Sequence, residues 1–289
     1  MAIVLKGEKS LEGKIKRKEQ ARDQLKDNIK EAKSKLWKLR KRGIKDIFKK
    51  FLGKDNNYEN ISKEKKELKE KIKSKKEEIE KLDEEIIALT KGHAGEELVT
   101  SILKKNLSDE YYVLSGKKVG GEKEKAEIDH LIIGPKGIIL IEVKNTSGVF
   151  YYDSEGEGWL KAPFSGKNAL ITPMKSPLDQ VERASRIFKE TYINNITDNT
   201  NNTIYKNSND SSNININLSD LNINTAVVFA DDKCVFHGIE NRFTMKTPLL
   251  LKDEILPYIN SLPQDKLLNN NNETARKLSD IILTQKPNN

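Results

Sequence analysis

The chain has 289 residues, of which 36% are hydrophobic and 33% charged, and a net charge of +8. That composition suits one ordinary domain plus something extended. It excludes a span of eighteen or more apolar residues, and the single cysteine, Cys234, excludes an internal disulfide or a thiolate metal cluster. Cys234 stands beside Val235 and Phe236 and reads as core packing. With no secretory leader in view, a cytoplasmic location is expected. The charge is unevenly placed. Residues 1–91 carry 29 Lys and Arg against 18 Asp and Glu, and the remainder 23 against 26. The first third therefore holds all the excess positive charge, a field that attracts polyanions, nucleic acid first and an anionic membrane surface second.

Residues 1–91 are expected to form a basic coiled-coil arm. Leu11, Ile15, Lys18, Arg22, Leu25, Ile29, Ala32, Leu36 and Leu39 follow one another at steps of four and three. Ile61, Lys65, Leu68, Ile72, Lys75, Ile79, Leu82, Ile86 and Leu89 do the same, the 3.5-residue period of a coiled-coil seam. The breaker cluster Gly53-Lys54-Asp55-Asn56-Asn57 separates the two runs, so two antiparallel helices within one chain are expected. A homodimer or a partner protein joined through the coil is the alternative. Between Lys33 and Lys54 there are ten Lys and Arg and one acid, Asp46, beside an apolar stripe of Ile44, Ile47, Phe48, Phe51 and Leu52. This tip reads as hairpin packing, as a phosphate contact made by Arg40, Lys41, Arg42, Lys45 and Lys49, or as a membrane-surface helix.

From Gly92 the pattern changes to short apolar runs between helices. Glu96–Leu107 predicts an amphipathic helix, opened by His93-Ala94-Gly95, with Glu96 on the stripe of Val99 and Leu103 and Glu97 on the polar side. An acid aimed at a core is costly unless paired or bound to metal, although a first-turn acid also favours the helix dipole. Strands are predicted at Tyr111–Leu114, Ile128–Ile133, Gly137–Lys144, Val149–Tyr152 and Trp159–Lys161, and a helix over Pro177–Tyr192. The Asn-, Ser- and Thr-rich stretch 194–224 has neither period and reads as a disordered insertion. A buried strand follows at Thr225–Ala230, then a closing helix over Leu249–Ser261 and a loose tail over 263–289. A domain over 92–262 is the expected result.

The chemistry sits in Ile128-Asp129-His130-Leu131-Ile132-Ile133-Gly134-Pro135-Lys136-Gly137-Ile138-Ile139-Leu140-Ile141-Glu142-Val143-Lys144. Two apolar runs around a Gly-Pro-Lys-Gly turn signal a hairpin. Closing it symmetrically sets Ile133 against Ile138, Asp129 against Glu142 and Glu127 against Lys144. Opposed side chains share a face about 4.5–5.5 Å apart, and two carboxylates so placed repel unless a divalent cation lies between them. His130 faces away from Asp129 and reads as packing or support. Tyr151, Tyr152 and Trp159 read as sheet packing.

Gly95-Glu96, Glu127-Ile128-Asp129-His130, Gly134-Pro135-Lys136-Gly137, Ile141-Glu142-Val143-Lys144, and Gln180 with Arg183 occur in an order and spacing that resembles the NERD (nuclease-related) domain of the PD-(D/E)XK superfamily. The resemblance covers Gly92–Tyr192 and Thr225–Ala230, not the arm. It implies an α/β fold, a restriction-endonuclease-like mixed central sheet flanked by helices. It also implies Mg2+-dependent hydrolysis of phosphodiester bonds, most simply of DNA, with Mn2+ as a substitute. Glu96, Asp129, Glu142 and Lys144 match the catalytic set. Glu96, Asp129, Glu142 and the Val143 carbonyl would hold the metal, and Gln180 and Arg183 would form an auxiliary helix pair. Defence against foreign DNA is the biological role the resemblance suggests. The alternative is a catalytically inactive nucleic-acid-binding or scaffold protein that acts through its arm.

Overall fold

A computed structural model describes residues 1–6, 11–51, 58–153, 158–164, 170–194, 221–269 and 271–284. The chain divides into two compact units, residues 11–90 and residues 1–10 with 91–289. The first unit is built from α1 (Leu11–Phe51) and the greater part of α2 (Tyr58–Asn106). Lys18 bonds to Glu85, and Arg22 Nη1 meets Asp83 Oδ1 at 3.1 Å, so numbers fall along one helix as they rise along the other. Toward the far end the Lys65 ammonium lies 2.5 Å from where a Cβ on Gly43 would stand. Ile29, Ala32, Leu39, Ile61 and Ile86 are buried along this contact. The heptad positions thus pair within one chain, and the cations at two of them, Lys18 and Arg22, are matched by acids across the seam. Ile44 and Ile47, expected to pack at the tip, are 58% and 52% exposed. The breaker cluster Gly53–Asn57 lies outside the described residues.

Among the described residues the second unit holds two sheets. The larger has strand order β1 (Ile3–Lys6), β2 (Tyr112–Gly120), β3 (Lys125–Gly134), β4 (Gly137–Lys144), β8 (Ile223–Phe229) and β10 (Leu249–Leu251). β2, β3 and β4 run antiparallel as a meander, while β1 on β2, β8 on β4 and β10 on β8 are parallel. The sheet is therefore mixed, as expected. Runs such as Ile138-Ile139-Leu140-Ile141 are buried on both faces, which is why they read as continuous apolar stretches. One face packs on Val99, Leu103 and Leu107 of α2 and on α4 (Ile255–Ser261). The other packs on α3 (Pro177–Phe188), through Val181, Ala184, Ile187 and Phe188, and on α5 (Asn272–Thr284). A smaller sheet orders β7 (Thr172–Met174), β6 (Gly158–Ala162), β5 (Gly148–Asp153) and β9 (Cys234–Phe236). It locks onto the larger through Phe150, Phe229 and Phe236, whose ring centroids are 4.9–6.0 Å apart.

Several expectations are corrected. The arm does not begin at Met1: the short run Ile3–Lys6 is an edge strand of the second unit, with the Ile3 N–H on the Tyr111 carbonyl at 2.9 Å. No break separates the arm helix from Glu96, because α2 runs unbroken through Gly92-His93-Ala94-Gly95. Leu249–Ser261 is not one helix. It opens as β10, takes a 3-10 turn at Lys252–Glu254 and only then becomes α4. Most of the expected loose tail is also ordered, since α5 buries Ala275, Leu278 and Ile282. Asp265, itself fully buried, fixes the approach to that helix by accepting the N–H groups of Asn222, Leu267 and Leu268. The Pro177 helix gives way to a π-helical turn at Lys189–Asn194, and residues 195–220 of the Asn-rich insertion lie outside the described residues.

Candidate active site

The β3–β4 hairpin closes with Ile133 against Ile138 and His130 against Ile141. Gly137 takes φ +94° to make the turn, a backbone that favours glycine. The ladder ends at His130, one residue before Asp129. There the Asp129 carboxylate accepts the Val143 N–H at 2.7 Å, a donor that a neighbouring strand carbonyl would otherwise take. The β3–β4 ladder therefore does not extend to Glu127 and Lys144, and on its other side Glu127 pairs with Lys118 of β2. The side chain thus parts the two strands at the point where the charged residues begin.

Around this fork the charged groups gather. Glu142 is 9% exposed, and its Oε1 accepts from the Lys144 ammonium at 2.6 Å. Lys144 also donates to Gln180 Oε1 on α3. Burial and the negative charges of Glu142 and Glu96 hold the Asp129 carboxyl well above the usual carboxylate range, against the opposing pull of the Val143 N–H and Lys144. Glu96 therefore lies within electrostatic reach of Asp129. It sits deep inside α2, so the helix-dipole explanation for an acid at this position falls away. Glu97, its neighbour, is exposed.

Two features of α2 set where Glu96 stands. A Cβ on Gly95 would lie 2.5 Å from the Asn145 Cβ, so only glycine lets the end of β4 approach this closely. Asn145 then donates through Nδ2 to the Lys91 carbonyl at 2.6 Å. The second feature is His130, which is fully buried and lies 2.8 Å through Nε2 from the Thr100 hydroxyl. That hydroxyl donates to the Glu96 carbonyl at 2.9 Å, so Nε2 must be the donor of the pair. Burial lowers the His130 pKa to about 4, which keeps the ring neutral at pH 7. Asn145 and Thr100 gave no sequence signal. Gly95 read as the opening of a helix, and its packing reason shows only once α2 is seen to run through it.

Not every expected residue joins the cluster. Arg183 bonds instead to Glu124 Oε1 and the Lys125 carbonyl, each at 2.9 Å, so it braces the β2–β3 turn and only Gln180 of the auxiliary pair reaches Lys144. Cys234 is buried, with its thiol 2.9 Å from the Thr146 carbonyl and its pKa pushed up to about 11 by burial. On the arm Arg40, Lys41, Arg42 and Lys45 are exposed, with Lys41 lying 3.6 Å over the Trp37 ring. The Lys49 side chain lies outside the described residues. Among the described residues no three His, Cys, Asp or Glu side chains are already arranged around a metal position.

The mixed α/β sheet thus presents two acids and a lysine where two of its strands part. Residues 91–230 match the family model of NERD, the nuclease-related domain. β9, β10, α4 and α5 lie beyond the matched span. Over 84 residues the chain is 34% identical to an uncharacterised protein of Bacillus anthracis, a match covering 29% of this chain and 40% of that relative. No solved structure matches. No helix among the described residues is long and apolar enough to cross a membrane.

Proposed function

We propose that the chain is a divalent-metal-dependent nuclease that hydrolyses phosphodiester bonds, with DNA as substrate and Glu96, Asp129, Glu142 and Lys144 as its working residues. The observation that carries this reading is the gathering of Asp129, Glu142 and Lys144 where β3 and β4 part, with the Asp129 carboxylate on the Val143 N–H at 2.7 Å and the Glu142 carboxylate on the Lys144 ammonium at 2.6 Å; burial and the charges of Glu142 and Glu96 raise the Asp129 pKa there. Like charges collected in a poorly solvated place are unfavourable, and strongly perturbed groups cluster at functional sites. The donor set fits a hard divalent cation such as Mg2+ or Mn2+, which takes carboxylate and carbonyl oxygens and relieves that repulsion. Asp129 and Glu142 would hold it, with Glu96 and the Val143 carbonyl completing the set. The ion, when bound, supplies polarisation of the phosphoryl group and a more acidic water.

The chain's own residues do the rest. Lys144, steadied by Glu142 and Gln180, carries a fixed positive charge to where negative charge develops on the phosphate. Asn145, packed on Gly95, and His130, through Thr100, hold α2 against the strand ends and so keep Glu96 within electrostatic reach of Asp129. A role in defence against foreign DNA belongs to the same proposal. A second reading, binding without cleavage, is favoured by the exposed Arg40, Lys41, Arg42 and Lys45 on the arm.

Incubating the full chain with circular and linear DNA in Mg2+, Mn2+ or EDTA tests both readings. The nuclease reading expects metal-dependent cleavage that Asp129→Asn and Glu142→Gln abolish and that Glu97→Ala leaves intact. Cleavage that persists in EDTA or in both variants would defeat it. Binding with no cleavage in any metal would establish the second reading.

A further inference from the structure

Immediately beyond the catalytic strand the chain gathers a second set of charges that the proposed mechanism does not use. Thr146 follows Lys144 by two residues, hence lies at most about 7 Å from it along the chain. Its hydroxyl accepts from the Lys161 ammonium on β6, and its carbonyl faces the Cys234 thiol at 2.9 Å. β5 and β6 pair Phe150 with Lys161, and the Lys161 ammonium lies 6.0 Å from the Phe150 ring centroid, over an apolar floor.

Lys91 enters from α2, held by the Asn145 side chain on its carbonyl and ion-paired to Asp231 Oδ2 at 3.2 Å. Lys161 has a neutral hydroxyl as partner and, among the described residues, no carboxylate in ion-pair contact. Burial and the charge of Lys91 lower its pKa, with smaller opposing effects from Cys234 and Asp231. A partly desolvated ammonium beside a like charge is unfavourable until an anion reaches it. Asp231 stands near both lysines, but Lys91 already engages it.

We propose that Lys161, Lys91 and the Thr146 hydroxyl form a subsite for a backbone phosphate of nucleic acid, adjacent to the phosphate that would be cleaved at Glu142 and Lys144. The assignment rests on the nuclease reading for its neighbour, and on the two lysines and the hydroxyl for its chemistry. Lysine binds phosphate as a point charge, without selecting a base. The subsite therefore fixes the register of the strand on the enzyme and carries no sequence preference.

Binding of the full chain to a labelled 30-base-pair duplex and a 30-nucleotide single strand, in EDTA so that no cleavage intervenes, provides the test. Lys161→Met keeps the aliphatic stem over Phe150 and removes the charge, whereas Lys161→Arg keeps the charge. Between about 50 and 200 mM salt, neutralising one phosphate fewer lowers the log–log slope by about 0.9 for duplex and about 0.7 for single strand. Lys161→Met is expected to show that drop with weaker binding at every salt concentration, and Lys161→Arg to bind as the parent does. A parent-like slope and affinity in Lys161→Met would overturn the subsite. Lys91→Met, measured in parallel, carries the same expectation and decides the matter should Lys161→Met fail to fold.

Cleavage by the parent in Mg2+ tests the neighbouring reading separately. A chain that binds with a Lys161-dependent slope yet never cleaves keeps the subsite and loses the nuclease. One that cleaves while both lysine variants bind normally keeps the nuclease and loses the subsite.

Discussion

Replacing Gly95 by alanine tests how the site is assembled without touching a charged group. On helix propensity alone the change should stabilise α2 by about 1 kcal/mol. The structure sets two costs against that gain. The new Cβ would stand 2.5 Å from the Asn145 Cβ and 3.1 Å from its Cγ, where ordinary contact begins near 3.4 Å, and the obstacle sits at the root of a side chain rather than its flexible end. Overpacking of this kind costs about 1–3 kcal/mol. Moving Asn145 also breaks its 2.6 Å bond to the Lys91 carbonyl, worth about 1 kcal/mol. The net expectation is a loss of about 1–3 kcal/mol, and in a domain of this size a 2 kcal/mol loss lowers Tm by about 4–8 °C. The functional effect should be larger. Asn145 follows Lys144 directly, so a shift near 1 Å displaces Lys144 and Glu142 relative to Glu96, and misplacement on that scale costs about 10²-fold in rate. Thermal unfolding followed by circular dichroism, together with cleavage at saturating DNA, measures both. A Gly95→Ala chain that melts higher than the parent and cleaves at the parental rate would refute the close approach as the organising contact.

Asp129 predicts a stability that depends on pH. Its folded pKa is raised, so its contribution is fully present below the unfolded carboxylate pKa and is lost as pH rises through the folded value. Metal-free Asp129→Asn should therefore melt above the parent at neutral pH and lose that advantage in acid, while Mg2+ should raise the Tm of the parent alone; equal melting curves at all pH values would contradict this. Neutralising Arg40, Lys41, Arg42, Lys45 and Lys49 should lower the salt slope of duplex binding by about 0.9 for each phosphate they neutralise and leave cleavage at saturating substrate intact. An unchanged slope would return the arm tip to packing or to another partner. Asp265→Ala strands the N–H groups of Asn222, Leu267 and Leu268 and should cost at least about 3 kcal/mol in chemical denaturation. A loss under about 1 kcal/mol would mean that water replaces the carboxylate.

What the sequence determined by itself is whatever repeats locally. The heptad steps in 11–39 and 61–89 set which residues line the arm's seam, because a helix returns to one face every three to four residues. The hairpin around Gly134–Gly137 was legible for a similar reason, since a short turn fixes the register and period two fixes the faces, so Ile133 meets Ile138. The same periodicity brought Asp129, Glu142 and Lys144 to one neighbourhood. It failed one step further along, where the Asp129 side chain rather than its backbone takes the Val143 N–H. Tertiary structure alone decided the rest. Ile3–Lys6 becomes a strand only because β2 offers it an edge, and Leu249–Leu251 only because β8 does. Gly92 to Gly95 look like a helix boundary, yet the chain stays helical through them, and at Gly95 the reason is the arrival of Asn145 from far along the sequence. Arg183, expected to act with Gln180, is taken up instead by Glu124 and the Lys125 carbonyl at the β2–β3 turn. Each of these outcomes depends on contacts between segments remote in the chain, which neither periodicity nor local propensity records.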